Sequence, residues 1–173
     1  PTNNAVNSFA KVDQTSLSGE LEASDQFAHA LVAIGDLDTT DQAESHWVLA
    51  GARGVDGGGT DRGAVWLLEL DASGQPIQSI KIDDTVLGVS FADEDQFGRA
   101  VARIGDVNHD GVIDIAVGAS GVDTGGANAG AVWVLLLNGD GTIQSQQLID
   151  AGTTELVGQG GLDAGDLFGE SVA

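Results

Sequence analysis

The sequence predicts an all-β chain built from repeated four-stranded antiparallel sheets, the blades of a β-propeller. Three observations support this prediction. A unit of about 70 residues recurs, and each unit contains four short apolar runs. No stretch shows sustained helical periodicity. The third observation is that 26 glycines and only two prolines occur in 173 residues, so glycine supplies the turns that join many short strands.

The repeat is clearest in segments that return at nearly constant spacing. Residues 27–36 match residues 97–106, which lie 70 positions later. The Gly-Ala-Val-Trp segment at 63–66 returns 67 positions later, so the first copy carries three extra residues after Asp36. We predict the end of a preceding blade at residues 1–26, whole blades at 27–96 and 97–167, and the start of a further blade at 168–173.

The second copy shows the four strands of a blade in order. We predict them at residues 98–104, 113–119, 130–137 and 142–149. The second run is almost entirely apolar, which indicates burial on both faces, and the fourth mixes polar and apolar residues as an outer strand does. Residues 138–141, Asn-Gly-Asp-Gly, predict a tight turn between the last two strands. Trp47, Trp66 and Trp133 are expected in the core.

The segment after the first strand of this copy has the spacing of a calcium loop. Oxygen-bearing side chains stand at positions 1, 3, 5 and 9, and glycine stands at position 6, where the chain must turn sharply. These side chains belong to Asp106, Asn108, Asp110 and Asp114, and the backbone carbonyl of Val112 can add a fifth ligand. The loop is not an EF-hand, because position 12 is Val117 rather than glutamate. The alternative is an ordinary turn rich in Asn, Asp and Gly that binds no metal.

The equivalent loop of the first copy is degraded. Asp36 and Asp38 keep the first two ligand positions, but three residues are inserted and the glycine is missing. A second metal site at Asp36, Asp38 and Asp41 therefore needs Asp41, or Glu44 in its place, to replace the lost ligands. A loop without metal is the slightly favoured alternative.

The charge balance argues against several kinds of partner. The chain has 27 acidic and six basic residues, for a net charge of −21, whereas nucleic acids and anionic membrane surfaces attract Lys and Arg. No run is long and apolar enough for membrane insertion. The acidity is read either as a solvated surface suited to a salty medium or as carboxylates that gather divalent cations, and both readings can hold together.

No catalytic constellation emerges from the sequence. The chain has no cysteine, and His29, His46 and His109 lie apart without a zinc signature. Gly-Ala-Ser-Gly at 118–121 lacks the spacing of a nucleophile elbow, and the glycines at 57–59 lack the following Lys and Ser/Thr of a phosphate loop. A glycosidase-type pair of carboxylates stays open, but we expect that the chain is not an enzyme.

Together these motifs resemble the FG-GAP repeats of integrin α-subunit propellers and their bacterial relatives. The resemblance lies in Phe97-Gly98, the loop at 106–114 and Gly118-Ala119, and the first copy shares Phe27 and Gly51-Ala52, with Ala28 in place of the first glycine. It implies a β-propeller of about seven blades with calcium on hairpin loops at one face. By this resemblance the calcium ligands are Asp106, Asn108, Asp110, Val112 and Asp114.

Two whole blades cannot close a ring, so the chain is expected to need other blades of the same protein or further copies of itself. The expected function is a calcium-stabilised scaffold or recognition module, extracellular or on the cell surface. It would mediate adhesion or bind a protein or glycan ligand through loops at 54–62 and 121–129. The alternative is a non-catalytic accessory propeller of a larger secreted enzyme, such as a lipase or a polysaccharide-degrading protein.

Overall fold

The structure is a computed structural model that describes residues 10–17, 21–39, 45–153 and 161–173. In these residues nearly all regular structure is β-strand, arranged in two four-stranded antiparallel sheets of consecutive strands. The first sheet contains β1 (Ala30–Gly35), β2 (Trp47–Ala52), β3 (Ala64–Leu70) and β4 (Pro76–Ile82). A single helical turn, α1 (Asp84–Leu87), leads to β5 (Ala100–Gly105), β6 (Asp114–Ala119), β7 (Ala131–Leu137) and β8 (Ile143–Ile149). The predicted all-β fold with two whole blades is confirmed.

The strand boundaries differ from the predicted ones by up to two residues, and the largest difference has a local cause. β5 begins at Ala100 rather than at Gly98. Gly98 has φ +88°, and the Arg99 N–H donates to the Gln96 carbonyl, so these residues turn rather than extend. The predicted turn at 138–141 is present, with the Gly141 N–H donating to Asn138.

Burial follows the position of each strand in its sheet. All six residues of β6 are buried, because β6 lies between two neighbouring strands and both of its faces are packed. β4 and β8 are outer strands with mostly exposed or half-buried residues. The main apolar core joins the two sheets, and its fully buried members include Leu49 and Leu67 from the first sheet and Ile115 from the second. The sheets therefore share one core rather than folding separately.

Glycine pairs set how closely successive copies approach. A Cβ atom added to Gly51 would lie 2.1 Å from the Gly98 carbonyl oxygen, and one added to Gly118 would lie 1.9 Å from the Gly169 carbonyl oxygen. The Phe-Gly pairs at 97–98 and 168–169 thus each lie directly on the Gly-Ala of the preceding copy, and only glycine leaves room for this contact. Two equivalent parallel bridges, Gly63 to Phe97 and Gly130 to Phe168, accompany it. Residues 168–170 therefore occupy the position that begins a further copy.

The aromatic residues repeat the same arrangement in both copies. The rings of Phe97 and Trp133 meet edge to face at 6.4 Å, and those of Phe27 and Trp66 do so at 5.7 Å. Trp47, Trp66 and Trp133 are all buried, as the sequence predicted. Edge-to-face contacts of this kind add about 0.5–1.5 kcal/mol to the stability that area burial provides.

The alternating strand direction gives each sheet two different ends. The end we call the loop end carries the β2–β3 and β6–β7 loops and the chain segments that enter β1 and β5. The opposite end, the hairpin end, carries the β1–β2 and β5–β6 connections and the β3–β4 and β7–β8 hairpins. A strand of six residues rises about 20 Å, so the predicted calcium loop and the loop at 121–129 lie about that far apart.

We predict that Gly51→Ala destabilises the protein by about 1–3 kcal/mol, because its Cβ would overlap backbone atoms that cannot move without separating the sheets. Gly152→Ala is the matched control, since its Cβ would lie 3.2 Å from the side chain of Asp150 at an exposed position. Urea unfolding measures both variants. Equal midpoints for the two would contradict the close contact between the copies.

Candidate metal centre

The β5–β6 connection forms the predicted calcium loop at the hairpin end of the second sheet. Gly105 and Gly111 have φ +82° and +90°, a region that glycine enters without steric cost. Gly111 is position 6 of the predicted loop, so the sharp turn expected there is present. His109, between Asn108 and Asp110, is exposed.

Three of the predicted ligand side chains curl over the backbone of their own loop. The two carboxylate oxygens of Asp106 accept hydrogen bonds from the N–H groups of Asp110 (3.0 Å) and Gly111 (2.9 Å). Asn108 Oδ1 accepts from the same Asp110 N–H at 3.1 Å, and Asp110 Oδ1 accepts from the Val112 N–H at 2.9 Å. These bonds hold Asp106, Asn108 and Asp110 together on one short bend.

A fourth polar side chain joins the cluster from β8. Asn108 Nδ2 donates to Asp110 Oδ2 at 2.7 Å and to Gln144 Oε1 at 2.8 Å, and Gln144 Nε2 donates to Asp110 Oδ2 at 2.9 Å. Sequence reasoning missed Gln144, because it lies 34 residues from Asp110 and only the pairing of β7 with β8 brings it near. Its amide oxygen is another hard donor at the rim of the loop.

Hydrogen bonding keeps the exposed carboxylate of Asp110 charged. The Val112 N–H and then the Asn108 amide lower the pKa of Asp110 below its ordinary value, because both stabilise the ionised form. At neutral pH the cluster therefore presents a negative oxygen surface to solvent.

Asp114, the ligand predicted at position 9, is placed differently. It is fully buried, with Oδ1 accepting from the Leu137 N–H at 3.1 Å and Oδ2 from the Val107 N–H at 2.8 Å. The carboxylate thus ties the start of the loop to the end of β7. A carboxylate has about four lone-pair sites, so these two bonds leave acceptor capacity for a cation.

The donor set fits a hard cation such as calcium. All of the predicted ligands supply oxygen, which suits calcium and not the softer metals that prefer nitrogen and sulfur. In the described part of the chain no three Asp, Glu, His or Cys side chains group closely enough to hold a metal by themselves. The predicted loop relies instead on an amide and a backbone carbonyl beside its carboxylates. The assignment of Asp106, Asn108, Asp110, Val112 and Asp114 as ligands stays a prediction.

The loop also contacts the first sheet. The Thr39 N–H and hydroxyl both donate to the Gly111 carbonyl, at 3.0 and 2.7 Å, and the Ile113 N–H donates to the Leu37 carbonyl at 2.9 Å. The β1–β2 connection of the first copy therefore pairs with the predicted calcium loop of the second. A cation bound there would stiffen a contact between the two sheets.

The second metal site, predicted at Asp36, Asp38 and Asp41, stays a prediction. Asp36 Oδ1 accepts from the Ser45 hydroxyl at 2.8 Å. The Asp38 carboxylate lies against Gly139 in the β7–β8 hairpin, since a Cβ on that glycine would lie 2.6 Å from Asp38 Oδ2. Asp41 and the alternative ligand Glu44 lie outside the described residues.

Comparison with known families identifies one segment. Residues 97–135 match the family model of the FG-GAP repeat, from the Phe-Gly pair through β5, the predicted calcium loop and β6 into β7. FG-GAP repeats form β-propeller blades, modules often involved in adhesion or ligand binding and typical of extracellular or surface proteins. No curated protein matches the chain. None of the helices in the described ranges is long and apolar enough to cross a membrane.

We predict that Asp114→Asn lowers stability even when a chelator has removed all calcium. The new amide would place an N–H₂ group against one of two backbone N–H donors, and an unsatisfied buried donor costs about 1–3 kcal/mol. Asp110→Ala, at an exposed position, should cost well under about 1 kcal/mol under the same conditions. Urea unfolding in chelator measures both, and equal losses would show that Asp114 has no separate structural role.

Proposed function

Since its second blade is an FG-GAP repeat, we propose that the chain is a calcium-stabilised recognition module of an extracellular or surface protein. The observation that carries the proposal is the loop at residues 106–114. Its spacing is that of an oxygen-ligand calcium loop, and Asp106, Asn108 and Asp110 lie together on it. The five predicted ligands would hold the ion, which would supply positive charge and cross-link the loop.

The role of calcium in this proposal is structural. The loop lies at the hairpin end and is hydrogen-bonded to the first sheet through Thr39 and Leu37, so a bound ion stabilises the contact between copies. A cation also relieves repulsion in a chain whose net charge is −21. A ligand that binds only the folded state stabilises it by about 2.7 kcal/mol when its free concentration is 100 times its Kd.

Recognition is assigned to the loop end, where the loops at 54–62 and 121–129 emerge. This end is about 20 Å from the calcium loop, so the ion holds the scaffold and does not contact the partner. A cavity of about 440 Å³ opens there, between the β4–β5 connection and the β6–β7 loop. Its lining includes Phe91, Asp95 and Trp133, a mixture of apolar and charged groups that suits a protein or glycan ligand.

The proposal also includes further blades, from the same protein or from further copies of the chain. Val101 of β5 is 8% exposed because the first sheet covers it, whereas Leu31, at the same position of β1, is 62% exposed. A shallow apolar cavity beside Leu31 is lined by Phe27, Val48 and Leu70. The face of the second sheet that contains Val101 is covered by the first sheet. The equivalent face of the first sheet, which contains Leu31, is exposed and is the surface that a preceding blade would cover.

We predict that a calcium chelator lowers the melting temperature and that Asp110→Ala removes most of this response. Asp71→Ala is the matched control, because Asp71 is a half-buried carboxylate that caps the β3–β4 turn at the same end and lies outside the predicted calcium loop. The melting temperature of each variant is measured with calcium and with chelator. A wild-type melting curve that chelation leaves unchanged would overturn the proposal.

We predict that calorimetric titration finds one calcium ion per chain. The loop at 106–114 keeps all five predicted ligands, whereas the first copy lacks the glycine and the acid at position 9. Asp38→Ala should therefore leave the stoichiometry at one. Two ions per chain, falling to one in this variant, would show instead that the loop of the first copy binds metal.

A further inference from the structure

Each junction between successive copies brings three side chains to the same place at the loop end. One side chain belongs to the residue directly after the Phe-Gly of a copy, or after the Phe-Ala of the first copy. Another belongs to the residue directly after the Gly-Ala of the same copy. The last belongs to the residue directly after the Phe-Gly of the next copy. In the junction after the second copy these residues are Arg99, Ser120 and Glu170. In the junction after the first copy they are His29, Arg53 and Arg99.

At the later junction the carboxylate of Glu170 is held by the other two side chains, Arg99 and Ser120. Arg99 contacts Glu170 through two hydrogen bonds, one of them from Nε to Oε2 at 2.9 Å and the other from Nη2 to Oε1. The Ser120 hydroxyl donates to Oε2 at 2.9 Å. The hydrogen bond from Arg99 is the main cause of a lowered pKa for Glu170, so this carboxylate stays ionised at neutral pH.

The earlier junction has the same construction but no acid of its own. Arg53 Nη1 donates to Gln96 Oε1 at 3.2 Å, and Arg53 Nε is shielded from solvent and has no hydrogen-bond partner among the described residues. Four of the six basic residues have a carboxylate within 4 Å in the described part of the chain, and Arg53 and Arg103 do not. Arg103 is exposed, whereas Arg53 is half-buried, and a half-buried arginine without a carboxylate is unexpected where acidic residues outnumber basic ones by 27 to six.

The charges around Arg53 add to the positive potential at the earlier junction. Desolvation and then the charges of Arg53 and Arg99 lower the pKa of His29, while the charge of Glu170, the smallest of these contributions, raises it. Glu170 is hydrogen-bonded to Arg99 and Ser120, so among the described residues it balances the charge of Arg99 and leaves that of Arg53. The junction therefore carries excess positive charge on a chain that is otherwise strongly negative.

We propose that the junction formed by His29, Arg53 and Arg99 binds an acidic side chain of a protein partner, with its carboxylate held by Arg53. The inference rests on the proposed recognition role and names the chemistry of the ligand. The guanidinium fork matches the planar carboxylate, as the contact between Arg99 and Glu170 shows on the same surface. A doubly charged phosphate would be repelled more strongly by Glu170 and by the net charge.

The same surface favours a peptide over a saccharide as the source of the carboxylate. Saccharide and other small-molecule sites are lined largely by apolar and aromatic side chains. The large apolar side chains exposed among the described residues are all aliphatic, such as Leu31 and Leu167. The junction offers charge and hydrogen-bond donors instead.

The test is a nuclear magnetic resonance titration of the whole chain, in calcium, with an acetylated and amidated tetrapeptide that contains one glutamate. We expect saturable shifts of the Arg53 Nε–H and His29 ring resonances, no such shifts with the glutamine form of the peptide, and weaker binding at higher salt. Arg53→Gln should weaken binding roughly tenfold or more, and Arg53→Lys should restore part of it. Arg103→Gln, which removes the same charge from β5, should leave binding unchanged.

Three outcomes would overturn the inference. They are equal binding of the glutamate and glutamine peptides, equal binding by the wild type and Arg53→Gln, and binding of free glucuronate without binding of the peptide. Chelator-dependent melting is measured on the same samples and confirms that each variant is folded. If calcium stabilises the chain and the peptide does not bind, the inference fails while the calcium-stabilised module stands.

Discussion

The structure depends on a backbone contact in which the Phe-Gly of one copy lies on the Gly-Ala of the copy before it. At this contact a single methyl group would overlap a carbonyl oxygen, as it would at Gly51 against Gly98. This approach sets the distance between successive sheets, and the shared apolar core, the aromatic pairs and the bridge from Gly63 to Phe97 all lie around it. Because backbone atoms form the contact, no side-chain rotation can relieve an intrusion there.

Because the strands of each sheet are antiparallel, its connections lie at two opposite ends. Connections that follow the first and third strands lie at one end, where the oxygen-rich loop of the second copy pairs with Thr39 and Leu37 of the first. Connections that follow the second strand lie at the other end, beside the junction of His29, Arg53 and Arg99. Under the proposed function, stabilisation and recognition lie on different surfaces, so the recognition loops can vary without loss of the scaffold.

Much of the fold could be predicted from the sequence, because its determinants are local. The apolar run of β6, the glycines of the turns and the 70-residue spacing each lie within one short segment or repeat it directly. Three features of the sites could not be predicted. Gln144 reaches Asp110 through strand pairing, Asp114 turns inward to the N–H of Leu137, and Arg53 meets the charge of Arg99 only across the junction. All three depend on contacts between segments far apart in the chain, which local patterns do not encode.

The glycine contact has a consequence for how such an array lengthens. The second copy carries both halves of it, a Phe-Gly that rests on the first copy and a Gly-Ala that receives the next Phe-Gly, as Gly118 receives Gly169. Tandem duplication of one unit in the gene therefore adds a blade whose two mating surfaces already exist. Such an added blade brings its own contact with its neighbours, while positions beside the contact, such as Ser120 and Arg53, differ between the copies.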